Sequence, residues 1–217
     1  MTNAGDGNLL GDADFVRAFD ELVRLRRDVR RFGPAGVAEE LVQEIVAAMQ
    51  FAPSVGLSEP TRLVRLASEQ IRTQVLANFE TENEKALAGY IGQRAQKYSS
   101  LKLAGLREAP VQFAVYCDEA TSQGHGLGVR TMPEAKAYSS ACAVMLMWLA
   151  AAARGLGLGW VSIFDVEGLS KLLGVGPEWK FMGCVCIGWP EEQHLDPELE
   201  RAGWETRRPG GPIVITK

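Results

Sequence analysis

A chain of 217 residues with 47% hydrophobic and 23% charged positions carries enough apolar content for a packed core, which excludes a disordered polyelectrolyte. Its 27 acidic against 23 basic residues leave a net charge of −4, which excludes a general polyanion binder, whose surface needs a basic excess. The longest unbroken apolar run, residues 141–153, is shorter than the roughly 20 residues a membrane-crossing helix needs, and the polar, Gly-rich start lacks a signal-peptide pattern. The expectation is a cytoplasmic protein with no nucleic acid and no membrane among its partners.

Residues 1–12 read as a flexible terminus and 13–217 as one domain, because no repeat or linker interrupts them. Phe15, Ala18, Phe19, Leu22, Val23 and Leu25 recur with helical spacing over 14–27. Val37, Leu41, Val42, Ile45, Val46 and Met49 do the same over 37–51, where Pro53 closes the run. A short strand is expected at 63–67 and a long, charged helix over 69–97. VQFAVYC, residues 111–117, reads as a buried strand. A Gly-rich loop at 124–128 leads to Thr131 and Glu134, a capping-box spacing with Pro133 in the first turn, so an almost wholly apolar helix should run from there to about residue 154.

GLGLG, residues 155–159, reads as a helix terminator before a strand at 160–164. A helix at 167–173, a core strand at 181–188 and a polar tail from Glu191 follow, the tail ending in the strand-like PIVIT. Helices outnumber strands without regular βα alternation, which predicts an α+β fold and not a doubly wound sheet. Cys117, Cys142, Cys184 and Cys186 lie in apolar segments and form no CxxC pair, and the two histidines lack zinc spacing. Buried, reduced thiols and no metal site are expected.

Neither glycine cluster is a nucleotide fingerprint: GLGLG runs from helix to strand, and GHGLG has the wrong spacing. The informative cluster is Arg24, Arg26, Arg27, Arg30 and Arg31, with Asp28 in its midst. Such arginines can offset the macrodipole at a helix C-terminus, or grip one small phosphate with their planar forks. The loop APSVGLSEP, residues 52–60, is either a plain connector or a hydroxyl and backbone cradle for a planar polar ligand. Ser162 is a lone polar residue in the apolar segment GWVSIF.

RRDVRRF, QFAPSVGLSEP, a buried helix and GLGLGWVSIFD together resemble the FMN-binding nitroreductase superfamily, from about Phe15 to Pro209. Asp28, where nitroreductases usually carry serine, together with LKLAGLREAP and GHGLGVRTMPE, narrows the resemblance to its 5,6-dimethylbenzimidazole synthase branch, the BluB-type flavin destructases. The sequence departs from that branch at Glu59, Pro60, Thr61, Arg62 and Leu63, where QPWRF is the expected motif.

The resemblance implies a nitroreductase-like sandwich, a mixed sheet flanked by helices, assembled as an intertwined homodimer with FMN at the interface. It implies that reduced FMN, as substrate, reacts with O2 to give 5,6-dimethylbenzimidazole, the lower ligand of cobalamin, and erythrose 4-phosphate. No metal takes part, and a flavin reductase supplies the reduced FMN. By the same resemblance Arg26, Arg27, Arg30 and Arg207 contact phosphate and ribityl, with Val29 and Asp28 in the same FMN-binding stretch. Ser54 holds the ring, Leu103 belongs to a lid, Asp28 is the catalytic acid that moves protons, and Ser162 is the catalytic serine. Two alternatives stay open on the residues alone: an NAD(P)H-dependent nitroreductase or flavin reductase, and a non-catalytic flavin-binding protein.

Overall fold

The computed structural model describes residues 9–217, so most of the expected flexible terminus lies outside the described residues. Strands β1 (Thr61–Arg65), β2 (Val111–Asp118), β3 (Gly157–Val161) and β4 (Trp179–Gly188) form one sheet in the order β1-β2-β4-β3, every named pair antiparallel. Among the described residues the parallel component is a single bridge, Asp28 to Leu158, which lays the arginine-rich segment along the free edge of β3.

The central strands β2 and β4 bury both faces, which is why their sequences are almost continuously apolar. Phe113 and Val115 of β2 join Val185 and Ile187 of β4 on one face. There α2 (Glu39–Ala47) and α5 (Ala135–Ala153) cover them with Val42, Ile45, Val144, Met147, Trp148 and Ala151. Ala114, Tyr116, Cys184 and Cys186 point to the other face. That face is closed by α3 (Glu69–Ala88), α6 (Val166–Leu172) and the irregular segment 101–110, through Val75, Phe79, Leu169, Ala104 and Leu106. The result is the α+β sandwich expected from the sequence. The period-2 alternation of a strand decides which face each residue serves. Cys184 and Cys186 therefore share a face, as expected.

Several expectations need correction. The helix expected over 69–97 is two, α3 and α4 (Gly92–Ser100), because Gly89 caps the first and Tyr90 and Ile91 turn the chain. β1 starts two residues early, where an Arg62–Asp118 ion pair of 3.0 Å ties its start to the end of β2. The capping box at Thr131 does not form. Tight turns with positive φ at Gly124, His125, Gly126 and Gly128 lead into a further turn, and α5 starts at Ala135 with no side-chain cap. PIVIT forms no strand, and Ile213, Val214 and Ile215 are exposed.

Helix α5 is long and apolar enough to cross a membrane by composition, yet half of it is buried against the sheet, which accounts for its hydrophobicity. Its remaining apolar stripe is not buried. Tyr138, Cys142 and Met145, at helical spacing i, i+4 and i+7, face outward. Cys142 therefore departs from the expectation of four buried cysteines. Helix α1 (Ala13–Leu25) is opened by the Asp12 carboxylate, which accepts the amides of Asp14 and Phe15 at 3.0 and 2.9 Å. It has no buried residue: Phe15, Val16, Phe19 and Val23 are each between 41 and 49% exposed.

Candidate active site

The site grows from the chain that leaves α1. After Leu25 the backbone extends and pairs with β3, Val29 donating its amide to Leu158 at 3.1 Å. This approach explains the glycines of GLGLG. A Cβ on Gly157 would stand 2.8 Å from the Val29 side chain, and one on Gly159 would overlap the Val29 carbonyl oxygen. Glycine here lets one backbone lie close against another. For that reason β3 begins at Gly157, and the expected strand at 160–164 lies three residues too late.

Asp28 sits at this junction with both carboxylate oxygens engaged. Oδ1 accepts the backbone N–H of Trp160 at 3.0 Å, and Oδ2 accepts from Arg30 at 2.9 Å. Both bonds are accepted by the side-chain oxygens, so the group is held from two sides. Beneath it lies Cys186, whose thiol burial pushes up to about 12, with Asp28 adding to the rise. It stays a neutral thiol and is a poor nucleophile at neutral pH.

The arginine cluster divides in two. Arg24 pairs with Glu21 at 2.7 Å, Arg30 with Asp28, and Arg31 with Glu198 and, at 3.7 Å, Glu192. Among the described residues Arg26, Arg27 and Arg207 form no ion pair. Arg26 stacks its guanidinium over the Trp148 ring, 4.6 Å from the centroid. Arg27 donates to the carbonyls of Leu195, Arg26 and Arg24, and Asp196 supports its charge without forming an ion pair with it. Burial lowers the proton affinity of both; the like charge of Arg207 lowers both further, while Asp28 partly offsets the effect on Arg26. Three guanidinium groups that repel one another and form no ion pair among the described residues suit an anionic ligand. That is the structural test a phosphate-bearing ligand must pass here.

Beside them a cavity of about 320 Å³ is lined by Arg26, Arg27, Val29, Trp148, Gly157 and Leu195, among others. Arg30 turns away from that trio, donating through Nε to Asp28 and through Nη1 to the Lys102 carbonyl at 3.0 Å. Leu103, half-buried, follows Lys102 and packs on the face that holds Cys186. Ser162 is not inside a strand. It lies one residue past β3, exposed, with its hydroxyl unpartnered among the described residues, free for a ligand.

Ser54 lies elsewhere, in a second cavity of about 400 Å³ with Glu59, Thr61, Arg62 and Ser139. Its Oγ accepts the Glu59 amide at 3.2 Å, and Glu59 itself has a positive φ of 42°. One chain thus gathers Asp28, Val29, Arg26, Arg27, Arg30 and Leu103 and places Ser54 apart. Sequence reasoning missed Trp160, whose amide fixes Asp28, and Trp148, which stacks on Arg26 and donates its Nε1 to the Arg27 carbonyl at 3.1 Å. The signal present was the alternation of glycine into an apolar strand, a mark of close backbone approach.

Fold and site define a two-faced α+β sandwich with three arginines that form no ion pair among the described residues and a carboxylate held from two sides. The sequence pattern of the Nitroreductase family matches residues 23–189, and the chain belongs to the nitroreductase family. It is 49% identical over 205 residues, 94% of this chain and 97% of its relative, to the 5,6-dimethylbenzimidazole synthase of Rhodospirillum rubrum. It is 42% identical to the protein of the same name from Rhodobacter capsulatus, over 88% of this chain and 93% of that one.

Among solved structures it resembles iodotyrosine deiodinase bound to FMN and 3-iodo-L-tyrosine, with a TM-score of 0.70 and 18% identity over 91% of this chain and 97% of that one. A nitroreductase family protein from Streptococcus pneumoniae gives a TM-score of 0.64 at 17% identity, over 92% of this chain and all of that one. These two likenesses concern the fold alone.

Proposed function

We propose that this protein is an oxygen-dependent enzyme that fragments reduced FMN to 5,6-dimethylbenzimidazole and erythrose 4-phosphate, supplying the lower ligand of cobalamin. The observation that carries the reading is the 49% identity to the Rhodospirillum rubrum 5,6-dimethylbenzimidazole synthase along nearly the full length of both chains. The site supports it. Reduced FMN is substrate here and supplies the isoalloxazine that reacts with O2. Arg26, Arg27 and Arg207 hold its phosphate, with Val29 lining the approach, and Ser54 serves the ring. Asp28 accepts and returns protons as the ribityl chain is cut. Ser162 offers its free hydroxyl to the polar edge of the ring, and Leu103 with its segment keeps water from the reacting atoms. No metal is needed, and a flavin reductase in the cytoplasm delivers the reduced substrate to this single domain of residues 13–217.

Rapid mixing separates this reading from an NAD(P)H-dependent nitroreductase on the same fold. NAD(P)H should leave the oxidised FMN complex unreduced, while added reduced FMN should be consumed in air. Fast reduction by NAD(P)H would favour the nitroreductase instead.

The same reading includes a homodimer with FMN at the interface. The exposed apolar face of α1 and the Tyr138, Cys142 and Met145 stripe of α5 are surfaces a monomer would leave wet, and obligate dimers bury such surfaces. Light scattering at micromolar concentration should give about twice the 23.6 kDa chain mass. A flavin-competent species at the chain mass would contradict the shared site.

A further inference from the structure

Segment 101–110 has no helix or strand to hold it, yet it closes one face of the core. Its carbonyls are gripped by side chains from elsewhere. Gln112, buried on β2, donates to Leu106 at 2.8 Å and Ala109 at 3.2 Å, and Arg72 donates to Ala109 at 3.3 Å and to Pro110. Both anchors act on the end that runs into β2. At the other end the one side chain that bonds the segment's backbone, among the described residues, is Arg30, through the Lys102 carbonyl. Between them Gly105 lies flat on the Phe32 ring, where a Cβ would overlap ring carbons, and Cys186 receives the Gly105 amide.

Arg30 is thus shared. Its Nε and Nη2 hold Oδ2 of Asp28 and its Nη1 holds Lys102, and its side chain is only 12% exposed. A guanidinium is rigid and planar, so one group bonded on two edges fixes the geometry between its two partners. Asp28 cannot rotate about Oδ2 without disturbing Arg30, and residues 102–106 cannot lift without removing an acceptor from it. By contrast Arg26, Arg27 and Arg207 have no ion-pair partner among the described residues, although Arg27 donates to backbone carbonyls.

We propose that Arg30 is a positioning residue that sets the Asp28 carboxylate and the free end of segment 101–110 relative to each other. It makes the cover over the reacting atoms and the orientation of the proton acceptor one event. The consequence for turnover rests on the function proposed above; the mechanical link does not.

The test uses the full-length protein with Arg30→Gln, Arg30→Lys and, as a control, Arg31→Gln, whose native partners are Glu198 and Glu192. Amide hydrogen exchange is followed at 103–106, alongside the ratio of dimethylbenzimidazole to hydrogen peroxide in air. In Arg30→Gln, exchange at 103–106 in the flavin-free protein should accelerate and the product ratio at saturating reduced FMN fall by about tenfold each, the worth of a charge-assisted hydrogen bond. Arg30→Lys keeps the charge and a donor and should recover part of both, and Arg31→Gln should exchange at 103–106 like wild type.

Unchanged exchange at 103–106 in both Arg30 variants would overturn the link. So would a product ratio at saturating reduced FMN that stays at the wild-type value while exchange accelerates. Should Arg30→Gln fail to fold, Arg30→Lys against Arg31→Gln gives the same comparison. A wild-type protein that makes no dimethylbenzimidazole would sink the proposed function, and the exchange data would still decide the link.

Discussion

Replacing Asp28 with asparagine should abolish dimethylbenzimidazole formation while leaving reduced-FMN binding intact or tighter. The structure separates the two effects. The substituted amide can still offer its carbonyl oxygen to the Trp160 N–H, so the backbone junction with β3 survives. Its NH2 would then face Arg30, donor against donor, where Oδ2 now accepts at 2.9 Å. One negative charge disappears beside Arg26, whose charged form Asp28 supports, and the arginine trio becomes a net stronger anion site. What the amide cannot do is take up a proton. General acid–base groups contribute about 10²–10⁴-fold in rate, so the benzimidazole yield at saturating reduced FMN should fall by at least the lower figure. The flavin should instead return as oxidised FMN with release of hydrogen peroxide. Ser162→Ala should move in the same direction less completely, since a single hydroxyl contact is easier to replace than a proton acceptor. Product mass analysis beside flavin absorbance reads both outcomes. Near-normal benzimidazole from Asp28→Asn would remove the proton-transfer role from that residue.

Reduced riboflavin should bind far more weakly than reduced FMN. Arg26, Arg27 and Arg207 have no ion-pair partner among the described residues, and burial, then the like charge of Arg207, raises the cost of keeping Arg26 and Arg27 protonated, so a phosphate relieves a repulsion already present in the fold. A charge-assisted hydrogen bond contributes roughly 1.5–3 kcal/mol, or about ten- to a hundredfold in affinity. Salt should erode the difference, because part of it is long-range attraction. Equal affinity for the two flavins in a titration would mean that the trio does not serve a phosphate.

Much of the fold could be read from the residues, and the misplacements have physical reasons. The arginine cluster was visible as a cluster. Its division into paired and unpaired members was not, because Arg31 finds Glu198 and Glu192 at the far end of the chain and Arg27 spends its donors on Leu195. Central strands such as β2 are legible because burial on both faces makes them continuously apolar. β3 was displaced by three residues because glycine ordinarily weakens strands, whereas Gly157 and Gly159 belong to this one so that Val29 can cross it. The same misplacement put Ser162 inside a strand, when it stands exposed just beyond one. Helix α5 read as almost wholly apolar; its outer stripe, with Cys142, is exposed in the single chain, so apolar composition alone did not separate the core face from the outer one. Thr131 failed as a cap because backbone turns before α5 took its place.

The measurement that bears most directly on the proposed function is aerobic incubation of the protein with reduced FMN labelled with carbon-13 at C1′ of the ribityl chain. The fragmentation reading predicts 5,6-dimethylbenzimidazole carrying the label in its new imidazole ring, formed only in the presence of O2. Quantitative recovery of labelled, oxidised FMN with no benzimidazole would contradict it.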